Sequence, residues 1–282
     1  MSKIASLSVL VDASPETQEY LAEKYAGVIA NVQKMTTSGR IKNTDLSGDP
    51  ESGTLTAKRF VNATSQAYGT ARAAGAGNKV KDKEVTIPID QDKEFVEEIE
   101  EKDIKLLGVD GLIDKRSKNH AMRMAAELDE KFYAKAMAEG TAFTPAAGVT
   151  EIQEIVESAI VTLETLKNNY IDGLDRSMLS VVMSAETYSA MRMYLDKVVN
   201  TNVDTTSEEF FVYHGVKVFS STRLPATVKF MVMMDGSVAQ PVMSHPYKAE
   251  RIPLSDAVAL ELFFYYGTKA VTPETILYYT GE

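Results

Sequence analysis

Apolar residues in this chain recur with helical spacing in some stretches and alternate in others, and their order predicts the elements. Leu21, Tyr25, Val28, Ile29 and Val32 return every three or four positions, the spacing of one helical face. Ser14, Pro15 and Glu16 precede them with the chemistry of a helix start: a hydroxyl for the N-cap, a proline at the first helical position and an acid in the first turn. Such a stripe can pack on its own domain or dock on another subunit, and the sequence leaves both open. Gly39 to Gly53 is mostly turn formers and charges, which predicts a loop. Thr54 to Tyr68 and Lys79 to Ile89 read as extended, the second with Val85, Ile87 and Ile89 on one side. Pro88 removes a ladder donor and favours an edge strand. Gly75 and Gly77 between them predict the tip of a long hairpin, and a two-stranded hairpin is marginal in water without a surface to lie against.

From Gly111 to Gly140, Ala121, Ala125, Leu128, Phe132 and Ala136 follow three-and-four spacing with charges between them. A helix filling most of that span is about 40 Å long at 1.5 Å per residue, long for one compact domain. Thr150 and Gln153 have the spacing of a capping box ahead of Ile152, Ile155, Val156, Ile160 and Leu163. Met178 to Ser184 has the run of a short buried strand, Ser184 can cap the next helix with Tyr188, Met191, Tyr194 and Leu195, and Val216 to Phe219 reads as another strand. Strand, helix, strand predicts a mixed sheet with helices on its faces. From Val228 onward the chain is mostly strand-like.

Composition sets limits on these elements. The chain has 282 residues, 44% hydrophobic and 25% charged, enough for one large or two small domains with a sizeable core. Its best apolar run, AVALELFFYY, contains Glu261 and is far short of a membrane span. The first residues lack an A-x-A cleavage pattern, so the expectation is a protein made and used without secretion. The absence of cysteine excludes disulfides and thiolate metal sites and fits a reducing cytoplasm. A net charge of −10 argues against an unaided electrostatic grip on nucleic acid, which depends on basic residues displacing counterions. Charge is unevenly laid out: Arg72, Lys79, Lys81 and Lys83 are followed by the acidic run from Asp90 to Asp103, including Glu97, Glu98, Glu100 and Glu101.

No chemical motif stands out. His120, His214 and His245 are isolated and belong to no H-E-x-x-H pattern, so structural roles are expected for them. Gly48 to Thr54 lacks the lysine of a phosphate-binding loop, and Gly75 to Gly77 has no following helix pattern to make a nucleotide fingerprint. The acidic run lacks the spacing of a calcium loop and is better read as a solvated or salt-bridged strand. No Ser-His-Asp or nucleophile-elbow pattern is present. No catalytic residue, cofactor or metal ligand is predicted. The thirteen methionines read as gap-fillers in cores and contacts.

In their order, these elements resemble the major capsid proteins of tailed bacteriophages, the Hong Kong 97 type. The resemblance runs over nearly the whole chain and is carried by MLSVVMSAETYSAMRMYLD (Met178 to Asp196), HGVKVFSSTRLP (His214 to Pro225) and ERIPLSDAVALELFFYYGTKAVTPETILYY (Glu250 to Tyr279). It implies an α+β fold with an N-terminal arm and short helix (residues 1–45), an extended hairpin loop (46–105), a peripheral domain with a long spine helix (106–148), an axial α/β domain (149–233), peripheral strands (234–268) and a final axial strand (269–282). It also implies self-assembly through hexamers and pentamers into an icosahedral shell around double-stranded DNA, formed in a bacterial host cytoplasm and used as the virion capsid. In such a shell the extended loop reaches over a neighbouring copy, so Arg72, Lys79, Lys81, Lys83, Glu97, Glu98, Glu100 and Glu101 are the candidate inter-subunit contacts. The implied partners are further copies of the chain, a separate scaffolding protein, a portal and a decoration protein, with DNA enclosed but not specifically bound and no membrane. Some relatives cross-link the loop from lysine to asparagine. Here no partner asparagine or catalytic glutamate can be matched, so that activity is not expected. Alternatives are an encapsulin-type compartment, an α/β enzyme with an unrecognised site, and a surface-array or tail-tube protein.

Overall fold

The structure is a computed structural model that describes residues 6–12, 14–75, 77, 79–105, 107–197 and 211–281; the side chains of 71, 72, 196 and 197 also fall outside the description. The chain divides into two compact units, each assembled from three separate segments. The first takes residues 1–40, 89–131 and 240–267, and the second 41–88, 132–239 and 268–282.

The first unit packs two long helices, with two one-turn helices beside them, against a four-stranded sheet. Its N-terminal helix, Pro15–Met35, starts as the sequence predicts, with the Ser14 hydroxyl accepting a hydrogen bond from the Thr17 amide. The apolar stripe packs on its own chain: Leu21, Val28 and Val32 are buried with Met124, Ala125 and Leu128 of the long helix. After the helix the chain turns onto Asp129, whose buried carboxylate accepts bonds from the Thr37 and Ser38 amides at 3.2 and 3.0 Å. In the sheet, Val258–Tyr266 is central, with Val242–Ser244 and Lys248–Arg251 along one side and Gln91–Ile99 antiparallel along the other. Alternation decides its faces: Val258, Leu260, Leu262, Phe264 and Tyr266 all enter the core beneath the helices.

The second unit holds a six-stranded mixed sheet ordered Thr141–Ala142, Ile276–Tyr279, Phe230–Met234, Leu179–Met183, Val216–Ser220 and Val212–Tyr213. Leu179–Met183 runs parallel to Val216–Ser220, as a strand–helix–strand crossover requires, and antiparallel to Phe230–Met234. The period of two sorts its side chains between two cores. Val181, Met183, Phe230, Val232 and Leu277 meet the helices Ile152–Glu164 and Ala185–Lys197. Val182, Met231, Met233 and Ile276 turn the other way, onto Phe132, Tyr133 and Ala136. The expected mixed sheet with a helix layer on each face is therefore present.

The long helix runs from Gly108 to Glu139, 32 residues or about 48 Å, three residues earlier at its start than the spacing predicts. It ends at Gly140, where a Cβ would lie 2.6 Å from the Ala136 carbonyl oxygen and 2.8 Å from Ile276 Cγ2, so no larger residue fits without displacing the sheet. The predicted capping box at Thr150 does not form. The helix begins at Ile152 behind an extended Glu151, which takes the N-cap position in place of Thr150 and makes no side-chain cap. Ser184 does cap its helix, its hydroxyl accepting from the Thr187 amide at 3.3 Å.

Candidate assembly surface

The hairpin lies in the second unit, built from Thr54–Phe60 and Asp82–Pro88 in antiparallel register from Thr54 opposite Pro88 to Phe60 opposite Asp82. Both strands are shorter than the sequence predicts. The tip is also more than a glycine turn, since Thr70–Ala74 forms a short helix ending at Gly75 with a φ of +69°. The base is anchored on the apolar side that alternation predicts: Ala57 and Ile87 are buried with Ala239 and Val271. Arg59 occupies the next inward position of the same strand and is itself buried. Its guanidinium pairs with Glu274 and lies 4.3 Å from the centre of the Tyr170 ring. On the other strand the Thr86 carbonyl accepts a bond from Lys269 Nζ at 3.0 Å.

Beyond residue 60 the arm loses this support. The Val61 amide donates to the Lys81 carbonyl at 2.9 Å, and the Asn62 amide donates to the Asn169 carbonyl at 3.0 Å. Tyr68 and Val80 are 96% and 82% exposed, so the apolar groups of the outer arm contribute nothing to the subunit's own core. Lys79, Lys81 and Lys83 are all exposed on this arm. Arg72 lies in the short tip helix, but its side chain is outside the described residues.

The acidic run corrects the expectation of one arm carrying both charges. Glu97 and Glu98 sit on Gln91–Ile99, a strand of the first unit's sheet that pairs with Val258–Tyr266 over its whole length and is not part of the hairpin. The cause is alternation: Phe95 and Ile99 face the core while Asp92, Glu94 and Glu98 point out, so an acidic stretch serves as a well-anchored edge strand. Glu97 is engaged within the subunit, where Arg116 Nε donates to Oε2 at 2.6 Å and the second guanidinium nitrogen reaches Oε1. Glu100 pairs with Lys102 just before the short helix Glu101–Ile104, whereas Glu98 and Glu101 are exposed.

His120 closes this region. It is buried, with Nδ1 2.7 Å from the Tyr247 hydroxyl and its ring stacked on Phe95 at 5.1 Å. Nε2 lies 3.1 Å from Glu97 Oε2, close enough for ion pairing yet not aligned as a hydrogen bond. Burial, with the Arg116 charge beside it, lowers the pKa of the ring to about 4, so it is neutral near pH 7. Among the described residues, no group of three His, Asp or Glu side chains could hold a metal ion, and no helix is long and apolar enough to cross a membrane.

No protein-family model matches the sequence, and the curated proteins yield no match. Solved structures do. A chain from Mycobacterium phage Che8 superimposes with a TM-score of 0.58 at 18% identity, covering 100% of this chain and 93% of the other. A chain from the capsid of a native GTA particle gives 0.59 at 11% identity, over 87% of this chain and 89% of the other. This chain has the Hong Kong 97 type capsid fold. The same fold occurs in a virus-like particle from Pyrococcus furiosus, with a TM-score of 0.56 at 10% identity over 94% of this chain and 99% of that one.

Sequence reasoning missed the residues that secure the base of the hairpin. Arg59 had a readable signal, since it continues the inward phase of Leu55 and Ala57 where an apolar residue is expected. Glu274 and Tyr170 are more than a hundred residues away from it and carry no such signal.

Proposed function

We propose that this protein is the major capsid subunit of a tailed-phage particle, assembling through hexamers and pentamers into a closed icosahedral shell around double-stranded DNA. The observation that carries the reading is the likeness over the full length of the chain to a phage structure, extended loop included. The subunit acts by assembly and not by catalysis. Its net charge of −10 supports confinement of DNA without a broad cationic surface to hold it. The basic arm residues Lys79, Lys81 and Lys83, with Arg72, meet acidic groups of the next copy in a head-to-tail contact that closes into rings. Glu98 and Glu101 are the better acceptors, because Glu97 and Glu100 already have partners in their own subunit. Each exposed pair is worth about 0–1 kcal/mol, so closure depends on many repeated contacts and on buried apolar surface. A scaffolding protein, a portal and a decoration protein belong to the same proposal, as does assembly in a host cytoplasm.

The test is negative-stain electron microscopy of the purified protein, alone and co-expressed with its neighbouring genes. Closed particles or hexamer and pentamer rings are expected, with nuclease-protected DNA in particles made alongside the neighbouring genes. A uniform monomer under both conditions would overturn the proposal. Particles that carry a protein cargo and no DNA would turn it into the compartment reading.

A further inference from the structure

We infer that Arg59 is a positioning residue that sets the direction in which the extended loop leaves the subunit. This inference rests on the shell reading, since a fixed direction matters only if the loop must meet a neighbouring copy. Burying a guanidinium inside a two-stranded hairpin is unfavourable unless every feature of the group is used. Here its charge is met by Glu274, its Cζ lies over the Tyr170 ring at 4.3 Å from the centre, and its side chain is 8% exposed. Lysine could supply the charge but not the planar stacking surface. The placement is also telling. Arg59 stands opposite Lys83 near the end of the paired ladder, and three residues later the Asn62 amide makes its bond to Asn169, beside Tyr170. Arg59 and Asn62 therefore fasten the same strand to the same segment, at the point where the arm changes from a supported strand to an exposed one. The apolar contacts of Ala57 and Ile87 lie nearer the base and hold the hairpin to the sheet, but they do not reach the segment that starts the arm.

The consequence is a division of labour along one strand. Apolar burial keeps the hairpin on the subunit, and the Arg59 clamp orients the arm beyond it. Loosening the clamp leaves the subunit folded and the arm attached, but spreads the arm over many directions, and a polymer that must close on itself is sensitive to that spread.

The experiment compares full-length wild type with Arg59→Met, Arg59→Lys and Glu274→Gln. Methionine keeps packing volume over Tyr170, and the latter two keep part of the clamp should the first variant fail to fold. Amide hydrogen exchange is read at Val61 and Asn62, and particle size and assembled fraction by sedimentation and microscopy. The expected result is exchange at least about tenfold faster at Asn62 in Arg59→Met, with smaller effects in the other two variants. Ile87 and the central strand keep wild-type protection, and the variants give a lower assembled fraction with mixed sizes. Unchanged exchange at Asn62 would overturn the clamp. Faster exchange with particles of wild-type yield and uniformity would overturn its role in directing the loop. Absence of particles from the wild type itself would instead remove the shell reading, while the exchange measurement would still judge the clamp.

Discussion

The strands Asp82–Pro88 and Gln91–Ile99 are separated by two residues and are both dense in charge, yet they are held in very different ways. The first has one partner strand and one fully buried apolar side chain, Ile87. The second is paired over nine residues with the central strand of its sheet, places Phe95 and Ile99 against a large core and fixes Glu97 with Arg116. The difference is in what the uncharged positions do. Where alternate residues are apolar and a long strand lies alongside, charge becomes the solvated edge of a sheet. Where the apolar residues stop, at the outer arm, charge belongs to an exposed limb that the chain's own core does not cover.

That contrast can be broken most severely at the sheet. Phe264→Ala removes a fully buried ring packed on Phe95, and the expected loss is about 3–5 kcal/mol in denaturant unfolding, enough to unfold the first unit. Acid should act next through His120. Its folded-state pKa, about 4, is below the usual 6.5, so the unfolded chain takes up a proton that the folded chain refuses. The stabilisation is complete above pH 6.5 and is lost as pH falls towards 4, by about 3 kcal/mol in total. Subtracting the pH profile of His120→Gln from that of the wild type isolates this slope. A difference that is flat between pH 4 and 6.5 would reject it.

Glu97→Ala should cost about 1–2 kcal/mol, because it leaves Arg116 without its bidentate acceptor in a partly buried place. The smallest effect on subunit stability belongs to the arm. Replacing residues 64–79 by a short glycine turn, or reversing Lys79, Lys81 and Lys83 to glutamate, should change unfolding by no more than about 0.5 kcal/mol. The same changes should abolish closed particles in the first case and weaken assembly in a salt-dependent way in the second, read by sedimentation at low and high salt. A large stability loss from the arm variants, or none from Glu97→Ala, would erase the distinction between limb and edge.

Most of the fold was legible because its period was strong. The stripe of Ala121, Ala125, Leu128, Phe132 and Ala136 marked the long helix, and LSVVM marked the central strand of the mixed sheet. The boundaries were less legible. Thr150 and Gln153 have capping spacing, yet the N-cap falls one residue later at Glu151, and the hairpin strands end where their apolar partners run out instead of where residue type changes. The acidic run was rightly read as a strand but joined to the wrong neighbour, because proximity in sequence favours the hairpin while the true partner begins at Val258. Ion pairs such as Arg59 with Glu274 link residues far apart in sequence, and a single sequence does not encode such pairings in any local pattern.

Each unit gathers three segments of chain, and the strand Ile276–Tyr279 enters the second unit's sheet between Phe230–Met234 and Thr141–Ala142. During synthesis, therefore, neither unit can close early. The first waits for Val258–Tyr266 and the second for Ile276–Tyr279, while the charged arm has long since left the ribosome. Contacts this distant make folding slow, but they also mean that a chain halted partway has no finished surface to offer. If the chain assembles as proposed, incomplete translation products would lack the surface needed to join a polymer of whole ones.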